Sequence, residues 1–294
     1  MDGTHLMDGI HPSAACSLSR LVEQDAVTES AVASIEGFQA GYVTIAGLPM
    51  WHEVRGEGPA VVLLHGAFSG AAGWVAQAPA LVSAGFRVYV PERRGHAHTR
   101  DVDEPLTYEV MAADTVAYLE AKAGGRAHLV GWSDGAVVAL LVALRRPDLV
   151  SRMVLIGQYY NSSGRVPGSD LDRWLHSAEA KDLLRQGYDL VSPDGPGHFE
   201  VVYTKTMAMI DSEPEIDLAA LTAVSAPALV LQGDRDEVTL EHGAAVAAAL
   251  GDGRLAVLPG THGLPIELPE LVNTLLISFL RGAVPAPAWA QPGE

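Results

Sequence analysis

The sequence has a single cysteine, Cys16, among its 294 residues. One cysteine cannot form a disulfide within the chain, so a disulfide-stapled fold is excluded. Nothing in the cysteine usage indicates an oxidising compartment.

Basic residues and long apolar runs are also scarce. The chain carries 19 Lys and Arg against 36 Asp and Glu, a formal net charge of −17. Such a charge would repel a phosphate backbone, so we expect neither nucleic acid nor an anionic membrane as a partner. No window is long and apolar enough to span a bilayer, and the N-terminus lacks the basic and apolar regions of a signal peptide. We therefore predict a soluble, cytoplasmic protein.

Apolar residues are nevertheless abundant, in short pieces. They make up 48% of the chain, enough for one large domain with a deep core. We predict a loose leader at 1–40 with at most one short helix around 21–35, a core at 41–157 and 218–282, a lid insertion at 158–217, and an unstructured tail at 283–294. The lid segment holds six aromatic residues and 11 acidic against 5 basic residues.

The alternation of apolar runs and helical stretches in the core predicts an α/β fold. Short apolar runs alternate with Ala-rich helical stretches, which we place at 71–83, 107–122, 135–146, 240–250 and 267–281. The apolar runs lie at 61–64, 88–90, 129–132, 153–156, 228–231 and 255–258. Strands that are apolar on both faces and alternate with helices are typical of a mostly parallel sheet covered on both faces. Ahead of it, strand-like segments on either side of a Gly-Leu-Pro turn at 47–49 predict a hairpin.

One of these strands leads into a motif of nucleophilic catalysis. Residues 129–136, LVGWSDGA, place G-x-S-x-G between a buried strand and a helix rich in Ala, Val and Leu. A serine on so tight a turn leaves no room for side chains at the flanking positions, Gly131 and Gly135. A helix that begins directly after Ser133 also points backbone N–H groups at the reacting centre. The bare pattern is weak, but this context makes Ser133 the candidate nucleophile.

Three further segments follow buried strands. Residues 63–70, LLHGAFSG, come after the first of them, and residues 229–236, LVLQGDRD, end a late strand with two candidate acids, Asp234 and Asp236. Residues 257–267, VLPGTHGLPIE, place His262 in the loop before the last helix. The order Ser, Asp, His along the chain is that of α/β-hydrolases. Together the four motifs resemble the α/β-hydrolase family over residues 41–282.

The resemblance implies roles for these residues. Ser133 would be the nucleophile, His262 the general base and Asp236 the acid that orients it, since the family carboxylate lies three residues after the glycine. The backbone N–H groups of Ala67 and Asp134 would form the oxyanion hole.

Other polar residues of these motifs have structural explanations. We predict that His65 holds its loop by hydrogen bonds and that Glu267 caps the final helix. His96 and His98 lie in a stretch that resembles the family's R-G-x-G-x-S loop, with Ala97 where glycine is common. We expect no metal site and no cofactor.

The predicted activity is hydrolysis of a carboxylic ester of a small or medium-sized molecule through an acyl-enzyme. Serine at position 133 argues against dehalogenase and epoxide hydrolase chemistry, because those relatives have aspartate there. A lactone, thioester, amide or carbon–carbon bond hydrolase with the same triad stays open, as does a non-catalytic ligand receptor. The candidate substrate-binding residues are Phe68, Trp132, Asp134, Tyr159, Tyr160, Trp174 and Leu264.

The turn at Ser133 also resembles that of hydrolases acting on amino-acid esters, including valacyclovir-type prodrugs. In those relatives the aspartate after the nucleophile pairs with the α-ammonium of the substrate, which implies this role for Asp134. Alternatively, Asp134 is an acid in the first helical turn, stabilised by the helix N-terminus, and only its backbone serves catalysis.

Overall fold

The computed structural model describes residues 34–282, which fold around one eight-stranded sheet. The strands are β1 (Gln39–Ile45), β2 (Leu48–Arg55), β3 (Ala60–Leu64), β4 (Arg87–Pro91), β5 (Ala127–Trp132), β6 (Val150–Ile156), β7 (Ala228–Gly233) and β8 (Gly253–Leu258). Their order in the sheet is β1-β2-β4-β3-β5-β6-β7-β8. Strand β2 pairs antiparallel with β1 and β4, whereas β3 to β8 are parallel. The carboxyl ends of these parallel strands therefore meet at one edge of the sheet.

Helices connect the parallel strands. They are α1 (Gln77–Ser83), α2 (Tyr108–Ala121), α3 (Asp134–Arg145), α4 (Asp170–Leu175), α5 (Ala178–Val191), α6 (Phe199–Ser212), α7 (Leu240–Ala249), α8 (Leu264–Glu267) and α9 (Pro269–Leu280). Short 3₁₀ turns lie at Ala71–Trp74, Pro147–Leu149, Ser162–Gly164 and Leu218–Ala223. Hydroxyl side chains begin several helices: the oxygen of Thr107 accepts from the N–H of Val110 at 3.1 Å, and Ser177 caps α5 in the same way.

The core lies on both faces of the sheet. In β3, Val62 and Leu64 belong to one apolar cluster, while Val61 and Leu63 belong to the other. Helices α2, α3 and α7 cover the first face, and α1 and α9 cover the second. This arrangement explains the continuous apolar runs and confirms the predicted α/β-hydrolase fold.

Three local features differ from prediction. The first hairpin turns at Ala46 and Gly47, both with positive φ, so residues 48–49 belong to β2 rather than to the turn. Strand β8 is an edge strand, and Leu255 and Val257 on its outer face are 40% and 42% exposed. The last predicted helix, 267–281, corresponds to α9, and a short helix that was not predicted, α8, precedes it; Pro269 begins α9 instead of continuing α8.

The predicted lid, residues 158–217, contains α4, α5 and α6. Phe199 and Tyr203 of α6 contact Phe68, with ring centroids 6.3 and 5.5 Å from the Phe68 ring. Asp101, in the loop after β4, accepts from Lys205 of the same helix and from His198 just before it, each at 2.9 Å. The segment therefore packs over the loops that follow β3 and β4.

Part of the predicted leader is ordered against the core. Ile35 is 2% exposed, and its N–H donates to the Glu53 carboxylate at 2.6 Å. The rest of the leader, including Cys16 and most of the helix predicted around 21–35, and the tail at 283–294 lie outside the described residues. Within residues 34–282, no helix combines the length and the apolarity needed to cross a membrane.

Candidate active site

Ser133 lies at the carboxyl end of β5 on a strained turn. Its backbone has φ 55° and ψ −122°, a conformation that costs energy for any residue other than glycine. A Cβ at Gly131 would overlap the carbonyl of Gly135, and a Cβ at Gly135 would overlap the carbonyl of Leu64. The two glycines are therefore required by contact with backbone, and Gly135 brings the turn against the end of β3.

The loop after β3, residues 65–68, lies beside this serine. A Cβ built at Gly66 would be 3.4 Å from the Cβ of Ser133. The N–H groups of Ala67 and Asp134, the two predicted oxyanion donors, have no backbone hydrogen-bond partner within residues 34–282. Both donors are thus available next to the candidate nucleophile.

His65 and Arg93 hold this loop in place. The His65 ring contacts the Gly66 carbonyl through Nδ1 at 2.8 Å and accepts from the Arg93 N–H through Nε2 at 3.1 Å. The Arg93 guanidinium also donates to the carbonyls of His65 and Gly66. Burial, together with the nearby Arg93 charge, lowers the pKa of His65 well below its ordinary value, so the ring is neutral and can both donate and accept. His65 has the structural contacts expected of it, whereas the contribution of Arg93 was not anticipated.

His262 and Asp236 form a close pair. Nδ1 of His262 is 2.7 Å from Oδ1 of Asp236, whose side chain is 1% exposed. Asp234 is exposed and instead accepts from the Gly260 N–H at 3.0 Å. The structure thus brings Asp236, and not Asp234, to the imidazole.

The other ring nitrogen of His262, Nε2, is not engaged by a neighbouring residue among those that the structure describes. Nε2 has no hydrogen-bond partner in the described structure, Ser133 Oγ included. Catalytic hydrogen bonds are often long in unliganded enzymes and shorten when substrate binds. Ser133 is half-buried and His262 is buried at the same sheet edge, so both belong to one site.

Three further contacts position His262, and sequence reasoning missed all of them. Gly157, after β6, has φ +58°, and a Cβ there would be 2.7 Å from Cε1 of the imidazole. The indole N–H of Trp132 donates to the His262 carbonyl at 2.8 Å. Glu267 accepts from the N–H and hydroxyl of Thr261, just before the histidine, so it orders this loop and does not cap the final helix.

The charge state of His262 is set by its neighbours. Burial lowers the pKa of the imidazole, but the adjacent carboxylates of Asp236 and Glu237 outweigh burial and raise it to about 9. Glu237 lies 3.8 Å from Nε2 and was not singled out from the sequence. The resting imidazole is therefore protonated at neutral pH.

The predicted substrate-binding side chains have varied surroundings. Phe68, in the loop after β3, contacts α6, and Trp174 is half-buried on α4. Trp132 and Leu264, however, are 7% and 0% exposed and pack in the core, and Tyr160 stacks on His242 with centroids 3.9 Å apart. For these last three, the contacts point to packing rather than to substrate.

Asp134 belongs to a buried polar network. Its Oδ1 accepts from the hydroxyl of Tyr108 at 2.7 Å, and this hydroxyl lies 2.9 Å from that of Tyr159. Oδ2 is buried without a hydrogen-bond partner in the described structure. Burial raises the pKa of Asp134, while the charge of Arg93 opposes this rise. These contacts favour the structural alternative for the carboxylate.

The two histidines of the loop after β4 each face a hydrogen-bonding group of the chain. His96 Nδ1 faces the Arg94 carbonyl at 2.9 Å, and His98 Nδ1 faces Glu92 at 3.0 Å. Among residues 34–282, His, Cys, Asp and Glu form no group of three or more that could hold a metal ion.

Comparison with known proteins agrees with this geometry. The family model described as the α/β hydrolase fold matches residues 59–178. The chain is 26% identical to a putative carbamate hydrolase, RutD, of Caulobacter sp., over 81% of this chain and 97% of that protein. It is 25% identical to serine hydrolase BPHL of Mus musculus, over 81% and 85% of the two chains.

A solved structure, a meta-cleavage product hydrolase from Pseudomonas fluorescens, superposes with a TM-score of 0.69 at 22% identity, covering 84% of this chain and 98% of the other. At this identity the superposition supports the fold alone. The chain therefore has the α/β-hydrolase fold, and the family model and the curated relatives support its being a hydrolase.

Proposed function

We propose that the chain is a serine hydrolase that cleaves a carboxylic ester of a small or medium-sized molecule. The observation that carries this proposal is the buried His262–Asp236 pair beside Ser133, whose backbone is strained. The curated relatives named above are a putative carbamate hydrolase and a serine hydrolase, so they agree on hydrolysis but name no common substrate.

The proposed mechanism gives each of these residues one role. Neutral His262 takes the hydroxyl proton of Ser133 through Nε2 as the serine oxygen attacks the acyl carbon. Asp236 holds the imidazole through Nδ1 and stabilises the imidazolium, while the N–H groups of Ala67 and Asp134 bind the oxyanion. His262 then protonates the leaving alcohol, and water releases the acyl group.

A panel of chromogenic esters with increasing acyl length tests the proposal. We expect turnover on at least one of them, and a mass increase equal to the acyl group on the peptide that contains Ser133 when the reaction is quenched early. The alternative activities are tested by measuring turnover of substrates with the same acyl groups, namely lactones, thioesters, amides and compounds with a cleavable carbon–carbon bond. Release of one equivalent of product without turnover would contradict the proposal and indicate a ligand receptor.

The pH dependence should reflect His262. Only the neutral imidazole accepts the serine proton, so kcat/KM should be low where His262 is protonated and rise as it deprotonates. Because the pKa is raised to about 9, the rise should be centred near that pH rather than near the ordinary value of histidine. The check is kcat/KM for one neutral ester across the stable pH range. A rate that is flat from slightly acid to alkaline pH would contradict this role.

Replacing Gly157 with alanine should impair catalysis. The new methyl group would lie 2.7 Å from the imidazole on a backbone with φ +58°, so it would push His262 out of position. Misplacement of about 1 Å can cost about 10²-fold in rate, and we expect a loss of this size. The check is kcat/KM together with thermal unfolding.

The matched control is Gly187→Ala in α5, where an added Cβ meets nothing within 4 Å. This variant should keep parental activity. Full activity in Gly157→Ala would show that its contact with the imidazole has no consequence.

A further inference from the structure

Glu237 faces the nitrogen of His262 that must transfer protons. It directly follows Asp236, its side chain is 9% exposed, and its Oε1 is 3.8 Å from Nε2. Its backbone carbonyl accepts from the Val166 N–H at 2.7 Å, which anchors the residue to the start of the lid segment. A second carboxylate thus lies near Nε2, the nitrogen of His262 that does not face Asp236.

This carboxylate accepts no hydrogen bond within the described residues. Its charged neighbours are His262, Asp236, Arg165 and Asp172, and burial raises the pKa of the Glu237 carboxyl. Apart from His262, the cation among these neighbours is Arg165. Its guanidinium donates to the Ile210 carbonyl at 3.0 Å and lies 3.5 Å from Asp172, so it pairs with groups other than Glu237. A largely buried carboxylate without a hydrogen bond is unfavourable, so a partner supplied by the substrate would be stabilising.

The position of Glu237 indicates which part of the substrate it meets. In the second half of acylation, Nε2 of His262 donates its proton to the leaving oxygen, which must then lie within about 2.6–3.2 Å of Nε2. Because Oε1 of Glu237 is 3.8 Å from the same nitrogen, substituents of a leaving alcohol bound at Nε2 would be within reach of this carboxylate. A negative carboxylate there opposes the charge that builds on the departing oxygen, whereas a cationic substituent on the alcohol would cancel this effect.

We propose that Glu237 is a specificity-determining residue that binds a positively charged amino group on the leaving alcohol of the ester. The group would lie one or two carbons from the ester oxygen and form a charge-assisted hydrogen bond with Oε1. The inference rests on the proposed esterase activity. It is separate from any contact of Asp134, which lies next to the nucleophile and concerns the acyl side.

A matched pair of esters tests it. Both carry the same short acyl group; one has 2-(dimethylamino)ethanol as the alcohol, protonated at neutral pH, and the other has 3-methylbutanol, of nearly the same shape but uncharged. The parent should cleave the amino ester with a kcat/KM about tenfold or more above that of the neutral ester. In Glu237→Gln the ratio should fall to within about twofold of unity, mainly through a higher KM for the amino ester.

A control variant and a second readout separate recognition from structure. Glu241→Gln, on the exposed first turn of α7, should keep the parental preference. With the neutral ester, Glu237→Gln should also move the rising limb of the pH profile to lower pH, because one of the carboxylates that raise the pKa of His262 is gone. If Glu237 merely supported the fold, its replacement would lower the hydrolysis rates of both esters and would not shift the pH profile.

Each outcome decides the question. An amino-ester preference that Glu237→Gln removes, with the neutral ester still cleaved, supports the proposal. Hydrolysis of both esters by the parent without preference, or an equal loss on both in Glu237→Gln, would overturn it while leaving the esterase function in place. If the parent cleaves neither these esters nor the chromogenic panel, both the proposed esterase function and this inference are wrong.

Discussion

Replacing Ser133 with alanine should abolish hydrolysis while the protein stays folded. Ser133 Oγ makes no hydrogen bond to His262 in the structure, and the alanine methyl group occupies the place of the serine Cβ, so the fold loses little. Without the hydroxyl no acyl-enzyme can form, and a nucleophile of this kind is worth on the order of 10⁴-fold or more in kcat. This is the largest effect that we expect from a single substitution.

The measurement is kcat/KM on the best chromogenic ester, with thermal unfolding as the test of folding. Labelling by a serine-reactive fluorophosphonate should disappear in parallel. Ser83→Ala, at the exposed end of α1, is the matched control and should retain both activity and labelling. Activity within about tenfold of the parent in Ser133→Ala would remove this serine from the mechanism.

Replacing Asp236 with asparagine should be nearly as damaging, and far more so than the same change at Asp234. Oδ1 of Asp236 is 2.7 Å from Nδ1 of His262 and holds the proton on that nitrogen. An asparagine amide can donate to Nδ1 instead, which favours the tautomer with the proton on Nε2 and leaves no base for the serine. We expect a loss in kcat on the order of 10³–10⁴-fold.

Asp234→Asn provides the built-in comparison. Its oxygen accepts from the Gly260 N–H at 3.0 Å, a bond that the asparagine carbonyl can also accept, so activity should stay within about tenfold of the parent. Both variants are compared by kcat/KM at several pH values and by thermal unfolding. If Asp234→Asn were the more damaging of the two, the acid would have to be reassigned.

Much of the fold could be read from the sequence, because its signals are local. The apolar runs of β3, β5, β6 and β7 are buried on both faces of the sheet, which is the condition that makes a strand apolar throughout. The runs could not tell a central strand from an edge strand, so β8 was expected to be as buried as the others. Strand order, which decides this, arises from pairing between distant segments.

The local parts of the candidate site could also be predicted from the sequence, but the surroundings of its side chains could not. The glycines around Ser133 are determined by a turn of five residues, and their contacts are those that the pattern predicts. The triad roles and the oxyanion donors stay predictions for the experiments above. Aromatic residues near the motifs were poor guides to the substrate pocket, because the direction of a side chain such as Trp132 depends on what packs around it.

The sequence by itself determined the α/β fold, the strained turn at Ser133 and the chain order of the candidate catalytic residues, because periodicity, tight turns and short motifs act over a few neighbouring residues. Only the tertiary structure decided which aspartate meets His262, and that Gly157, Glu237 and Glu267 surround it or its loop. These residues follow different strands or lie on a later helix, and they meet because parallel strands end at one edge of the sheet. Contacts of that kind depend on strand order and packing, to which no local pattern in the sequence corresponds.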